Sequence, residues 1–330
     1  MKKNYKYARH QNLSKNLIFI DGLTRAGKSI LSRLITTLDK MEHIQFFNII
    51  EYVIPAIKFH GLSESYASAL LRLSLNELYY NLQLSRNVNF RPNDQTGVSN
   101  FREPEIYHER LMDNESDEIF EKLSKGDIYV PFQTHELMTD LDIIERLGLD
   151  YKFIEIYRNP FDVIHSWIKR GWGDRFFGTE AHPRGDLSSF TLSLQNGDIF
   201  VPWYCADYDI DEFMKLTESE RVSIMVIDLL RSAISKQKAS KHPERIHTIT
   251  FESMLEQPTT QMKNIANFLE MDVYDEKMEV FLKQENLPKS YSKDKLAEKK
   301  KEIKSSISER TYLEVKRLEL EYLSNVYELI

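Results

Sequence analysis

Hydrophobic and polar positions divide the chain into short apolar runs that alternate with amphipathic stretches. Leu17-Ile18-Phe19-Ile20 is a continuous apolar run closed by Asp21-Gly22, the pattern of a strand covered on both faces. Directly after it, Ile30, Leu31, Leu34, Ile35 and Leu38 recur at helical spacing, which predicts a helix over 28–38. Residues 64–85 predict a second helix with a wide apolar face. Further strands are expected at 128–132, 152–157 and 245–250, with helices over 139–147, 211–238 and 259–270 and another opening at Pro160. Pro160 and Pro258 suit helix starts, where a missing N–H costs nothing.

Three stretches lack this regularity. Residues 86–115 are polar, contain Arg86, Arg91, Arg102 and Arg110, and read as surface loops. Residues 171–210 mix Gly, Pro, aromatic and charged residues without a period and read as a long insertion. Residues 293–330 form a charged amphipathic helix or pair of helices. Leu296, Ile303, Ile307, Leu318 and Leu323 are its expected buried positions, and Lys299-Lys300-Lys301 its solvated face. The alternation of strands and helices predicts an α/β fold: a single domain over 1–330 with a central parallel sheet flanked by helices, helical insertions and a C-terminal helix.

Composition narrows the class. An apolar fraction of 42% with 12% aromatic residues supplies a sizeable core. A net charge of -7 argues against a non-specific nucleic-acid binder, so no nucleic-acid partner is expected. The single cysteine, Cys205, can make neither an internal disulfide nor a cysteine-based metal site, which suits a reducing compartment. No apolar run approaches the ~20 residues that span a bilayer, and the run at 17–20 is too short for a signal-peptide core. The expectation is a cytoplasmic protein without a transmembrane segment. Nothing in the pattern sets an oligomeric state.

The chemistry begins where the first strand meets the first helix. Gly22-Leu23-Thr24-Arg25-Ala26-Gly27-Lys28-Ser29 matches G-x-x-x-x-G-K-[ST] at every fixed position. Such a loop curls so that its N–H groups converge on a phosphate, and the following helix adds its positive end. Gly22, Thr24, Arg25, Ala26, Gly27, Lys28 and Ser29 are therefore the candidate phosphate-binding residues. A nucleoside triphosphate would also require a carboxylate for Mg²⁺ at the end of a second buried strand. None of the later predicted strands, 128–132, 152–157 and 245–250, closes on Asp, and only Glu252 could substitute, so no metal is expected. The second anchor is cationic: Arg158 ends a strand and Ser166 follows it eight residues later, across a helix start. A guanidinium makes bidentate contacts to a phosphate, and a hydroxyl adds one more.

Together these segments resemble the sulfotransferase family that uses 3′-phosphoadenosine 5′-phosphosulfate (PAPS). YRNPFDVIHSW resembles its 3′-phosphate motif, GLTRAGKS its 5′-phosphosulfate loop, and residues 247–271 its late strand and helix. The resemblance covers about 17–38, 128–170 and 245–272 and is not evident through 42–127 or 171–244. It implies PAPS as donor, a hydroxyl acceptor, and a histidine after a buried strand as catalytic base. His135, which precedes Arg158 by twenty-three residues, fills that place, and the neighbouring Glu136 is the alternative. Three positions depart from the family. Lys28 stands where Thr or Ser is usual, so Arg25 and Lys28 compete for the transferring group. Gln133 replaces a basic residue. The C-terminal Arg-Lys-Gly contact has only Lys289 or Lys293 as weak substitutes.

Two other readings remain open at this point: a P-loop small-molecule kinase using ATP and Mg²⁺, favoured by Lys28, and a catalytically inert nucleotide-binding protein. Trp167, Trp172 and Trp203 with Arg170, Arg175 and Arg184 would suit stacking on a sugar and pairing with an acidic group, which points to a glycan or glycolipid acceptor near the 171–210 insertion.

Overall fold

The computed structural model describes residue 7 and residues 11–326 apart from 93, 95 and 180–190. Arg184 lies outside the described residues. Its central sheet has four parallel strands: β1 (Leu17–Asp21), β2 (Val130–Gln133), β3 (Tyr151–Tyr157) and β4 (Ile246–Thr250), ordered β2-β1-β3-β4. The register sets Leu17 beside Val130 and Tyr151, and Asp21 beside Glu155. All five residues of β1 are buried, as its unbroken apolar run requires. Alternate side chains serve opposite faces. Ile18 and Ile20 pack with Leu31, Leu34 and Ile35 of α1 (Lys28–Ile35). Leu17 and Phe19 join Phe132, Phe153 and the helices of the other face. At roughly 1.5–3 kcal/mol for each fully buried large apolar side chain, these two layers fix where the ends of the strands stand.

The helices differ from expectation in instructive ways. α2 (Asn48–Lys58) has no counterpart in the sequence reading. Pro55 lies inside it, and proline normally breaks a helix because it lacks the N–H for the carbonyl four residues earlier. α3 spans Glu64–Gln83 and α4 Pro160–Ile168. α4 is opened by Asn159, whose side chain accepts the Phe161 N–H at 3.0 Å. The stretch predicted as one helix over 211–238 is divided. A short turn at Ile210–Phe213 precedes α5 (Glu218–Lys238), which is capped by Thr217. α6 covers Pro258–Leu269, and the C-terminal segment forms a pair, α7 (Lys293–Ser306) and α8 (Glu309–Glu321).

Within 171–210 the described residues are not irregular. Gly178–Thr179, Ser193–Asn196 and Ile199–Pro202 build a small antiparallel sheet. The polar stretch 86–115 is not wholly superficial either. Arg102 is buried and donates to the Thr36 carbonyl at 3.0 Å, while Arg110 pairs with the buried Glu42 at 2.8 Å. Leu323 is exposed rather than buried. The lysine run is partly engaged: Lys299 reaches Asp162 and Lys300 reaches Glu319, each at 2.6 Å.

Candidate active site

The glycine loop joins β1 to α1 and is held from two sides. Gly22 has φ +138, and a Cβ there would stand 2.3 Å from the Ile156 carbonyl oxygen of β3. Gly27 has φ +113, and its Cβ would meet the Phe251 ring at 2.3 Å. Arg25 at the crown takes φ 79, a conformation that non-glycine residues rarely adopt. The loop's backbone path is thus dictated by β3 and by the residue that follows β4. Ala26 is buried beneath the crown, and Ser29 is exposed on the first turn of α1.

Lys28 does not project from the loop. It is buried, and its ammonium donates to the Gly22 carbonyl. Two buried carboxyls lie near it. Asp21 accepts the Thr134 hydroxyl at 2.9 Å and the Met138 N–H at 2.8 Å. Burial pushes its pKa up, and Lys28 partly opposes the rise. Glu155 is fully buried and, among the described residues, neither of its oxygens has a hydrogen-bond partner. Burial first, and then the neighbouring Asp21, push its pKa well above the usual carboxylate value. A search for carboxylates at strand ends passes over Glu155, which lies two residues inside β3. Glu252 is already engaged, accepting the Asn159 N–H at 3.0 Å and the Tyr322 hydroxyl at 2.7 Å.

The structure brings Arg25, Arg158 and Ser166 together and adds Arg170. Ser166 Oγ receives Arg25 Nε and Arg170 Nη1, each at 3.3 Å. Arg158 donates to the Arg25 carbonyl at 2.9 Å and lies 4.2 Å over the Phe251 ring. Burial, then Arg170 and Arg158, lower the pKa of Arg25. Two guanidinium groups on one hydroxyl, with Arg158 beside Arg25, make a cradle suited to a dianion. The C-terminal segment contributes Lys299, which pairs with Asp162, itself 3.7 Å from Arg158. Lys289 and Lys293 are exposed.

On the other side of the loop lies a cavity of about 300 Å³. Thr24 of the loop, His135 and Glu136 after β2, and Glu51 of α2 all line it. Trp167, Trp172 and Phe176 form one wall, and Trp203 and Tyr204 another. Glu51 Oε1 lies 2.8 Å from the His135 backbone nitrogen and 3.0 Å from its Nδ1. Glu136, at φ 58, accepts the Thr24 N–H at 2.6 Å and the Thr24 hydroxyl at 2.7 Å. The Trp167 indole N–H donates to the Thr24 carbonyl at 2.8 Å, so one residue braces both the loop and the cavity.

A model of the sulfotransferase domain matches residues 16–317. The chain belongs to the sulfotransferase family. As a member this sulfotransferase is a transferase, and none of its described helices is long and apolar enough to cross a membrane. Solved structures similar to it include the sulfotransferase domain from the curacin biosynthetic pathway, at 14% identity and TM-score 0.47, covering 92% of this chain and 97% of that one. The sulfotransferase domain of the Synechococcus PCC 7002 olefin synthase gives 14% identity and TM-score 0.47, over 97% and 98%. A sulfotransferase from Alicyclobacillus acidocaldarius gives 12% and 0.41, over 96% and 98%. A comparison with curated proteins gives no match.

Against the residues expected from the sequence, the sulfotransferase shows two separate groupings. Arg25, Arg158 and Ser166 meet on one side of the loop, and Thr24, His135 and Glu136 meet on the other. Sequence reasoning missed Glu51, because α2 itself was missed. It set Arg170 aside as an acceptor residue, although the spacing of Ser166 to Arg170 is one helical turn and could have placed both on the same face. Phe251 was passed over as part of a strand end.

Proposed function

We propose that the protein transfers the sulfuryl group of PAPS to a hydroxyl acceptor seated in the aromatic cavity, with the chain acting as a single unit. The observation that carries this reading is the shared wall: Thr24 of the phosphate loop, His135 and Glu136 line the same cavity. Donor loop and candidate base therefore face one space, as an in-line transfer requires.

In this reading the loop N–H groups of residues 25 and 27–29 hold the 5′-phosphate, the Thr24 N–H being taken by Glu136 and the Ala26 N–H by the Leu23 carbonyl, and Arg158, Ser166 and Arg170 hold the 3′-phosphate. Glu51 accepts Nδ1–H of His135, which leaves the Nε2 lone pair to take the acceptor's proton. As that proton leaves, the acceptor oxygen bonds to sulfur and the bond from sulfur to the 5′-phosphate oxygen breaks. Adenosine 3′,5′-bisphosphate is the leaving product. Arg25, exposed at the crown, is better placed than the buried Lys28 to balance charge on the departing oxygen. Lys28 instead ties the loop to itself and opposes the charge of Asp21 and Glu155.

The tryptophans fit a sugar face of a glycan or glycolipid, but of the arginines expected to pair with an acidic group Arg170 is turned to Ser166 and Arg175 donates to the Arg170 carbonyl, while Arg184 lies outside the described residues. The test of the reaction is ligand-induced stabilisation in EDTA. Adenosine 3′,5′-bisphosphate should raise the melting temperature without metal, and PAPS with a panel of hydroxyl compounds should release the bisphosphate. Stabilisation by ATP with Mg²⁺ alone would install the kinase reading in its place.

A further inference from the structure

The cavity has a charge of its own. Among its described lining residues are three carboxylates, Glu51, Glu136 and Asp140, and neither a lysine nor an arginine. Their partners decide which of these charges is balanced. Asp140 pairs with Lys58 at 3.0 Å, and the same ammonium lies 5.1 Å over the Trp203 ring. Glu136 is held by the amide and hydroxyl of Thr24, both neutral. Glu51 is held by the amide and ring of His135. Two of the three carboxylates therefore have neither a lysine nor an arginine in the contacts that hold them. Arg25 and Arg170 turn their donors to Ser166 and Arg158 to the Arg25 carbonyl, and Arg170, 5.9 Å over the Trp172 ring, backs the cavity wall without lining it.

From this arrangement we infer that the acceptor is a hydroxyl compound that also carries a protonated amine, such as an amino-phenol, amino-alcohol or amino-sugar. The inference rests on the cavity being the acceptor site of a sulfotransferase. An anionic acceptor would meet the carboxylates and, beside Thr24, the negative sulfuryl group of the donor. A cation meets carboxylates and aromatic faces, both of which attract it. Phe46 and Tyr52 stand half-exposed at the margin, and Trp172 and Phe176 line the interior. The body of the acceptor is accordingly apolar or ring-shaped, and about 300 Å³ lies at the small end of ligand cavities.

All three tryptophans of the chain, Trp167, Trp172 and Trp203, line this cavity, so intrinsic fluorescence reads its occupancy directly. The experiment titrates three phenols of similar size into the protein: tyramine, 4-ethylphenol and 3-(4-hydroxyphenyl)propionate. Each is titrated with and without adenosine 3′,5′-bisphosphate, at a pH where carboxylates are ionised. Tyramine should bind on the order of tenfold to a hundredfold more tightly than the propionate, the range of one charge-assisted contact. Glu136→Gln keeps an oxygen for both Thr24 donors but removes the charge. It should weaken tyramine while leaving 4-ethylphenol unchanged. Asp140→Asn, which leaves Lys58 unbalanced, should act in the same direction and guards against a folding failure of the first variant.

Equal or tighter binding of the propionate overturns the inference, as does equal weakening of all three phenols in both variants. Because the titration in the absence of nucleotide needs no donor, the two readings fail separately. Loss of bisphosphate binding would sink the sulfuryl-transfer reading, while the charge order of the phenols still judges the cavity.

Discussion

A single carboxylate oxygen, Glu51 Oε1, receives both the backbone N–H of His135 at 2.8 Å and its ring Nδ1 at 3.0 Å. The backbone bond places the residue and the ring bond selects the tautomer, so α2 sets the direction of a side chain that follows β2. If His135 is the base, His135→Ala should lower turnover by on the order of 10²–10⁴ with little change in affinity for adenosine 3′,5′-bisphosphate. Glu51→Gln, which retains a carbonyl oxygen for Nδ1–H, should lose less than Glu51→Ala. Unchanged turnover in His135→Ala would shift the base to Glu136.

Arg158 provides the nucleotide test. Arg158→Ala should weaken adenosine 3′,5′-bisphosphate by roughly 1.5–3 kcal/mol, the range for a hydrogen bond to a charged group. Adenosine 5′-monophosphate, which lacks the 3′-phosphate, should lose much less. Arg170→Ala should show the same selectivity if Ser166 marks the 3′-phosphate site. Isothermal titration with both nucleotides separates this from a general loss of fold, which would weaken the two alike.

The loop offers a backbone test. Gly27→Ala adds a Cβ 2.3 Å from the Phe251 ring at φ +113. Forcing an L residue into such backbone costs of order 1–3 kcal/mol, and the ring contact adds to it. Chemical denaturation should show that loss, with nucleotide affinity falling in parallel. Phe251→Ala on the Gly27→Ala background should recover part of the stability by removing the clash and leave the backbone cost behind.

Glu155 sets a pH dependence. Its folded-state pKa is raised well above the usual 4.5 by burial, and next by Asp21. The folded state therefore holds a proton that the unfolded state releases, so stability is greatest below about 4.5 on this account and declines as pH rises above it. Asp21, raised in the same direction, acts alike. Glu155→Gln removes the ionising group. The variant should gain on the wild type as pH increases from 5 to 8, measured by urea denaturation at each pH. A constant difference across that interval would show that Glu155 is ionised throughout.

How much of this was legible beforehand follows from the kind of signal each residue carries. β1, the glycine loop and α1 were readable because apolar period and fixed glycines are local properties of the chain. Arg158 and Ser166 were readable because a proline and a cap fix the helix between them. Glu51 was hidden: its helix contains Pro55, and its partner His135 is eighty-four residues away. Glu155 was hidden for the opposite reason, since one acidic residue inside an apolar strand gives no hint of its neighbours. The charge of the cavity was equally out of reach. Glu136 and Asp140 sit at the two ends of one short turn after β2 and Glu51 belongs to α2, and only the packing of α2 beside that turn makes them one surface.

The crowding of Arg158 and Arg170 about Arg25 bears on how the protein is handled. Like charges held close repel, and Asp162, 3.7 Å from Arg158 and shared with Lys299, sets a single carboxylate against three guanidinium groups. Any doubly charged oxyanion that enters the cradle relieves that repulsion. Sulfate and phosphate should therefore act as preservatives for the purified protein, while compounding any nucleotide affinity measured in their presence. A zwitterionic buffer with a chloride counter-ion leaves the arginines available, and comparison of the two media gives the strength of the anion site before any nucleotide is added.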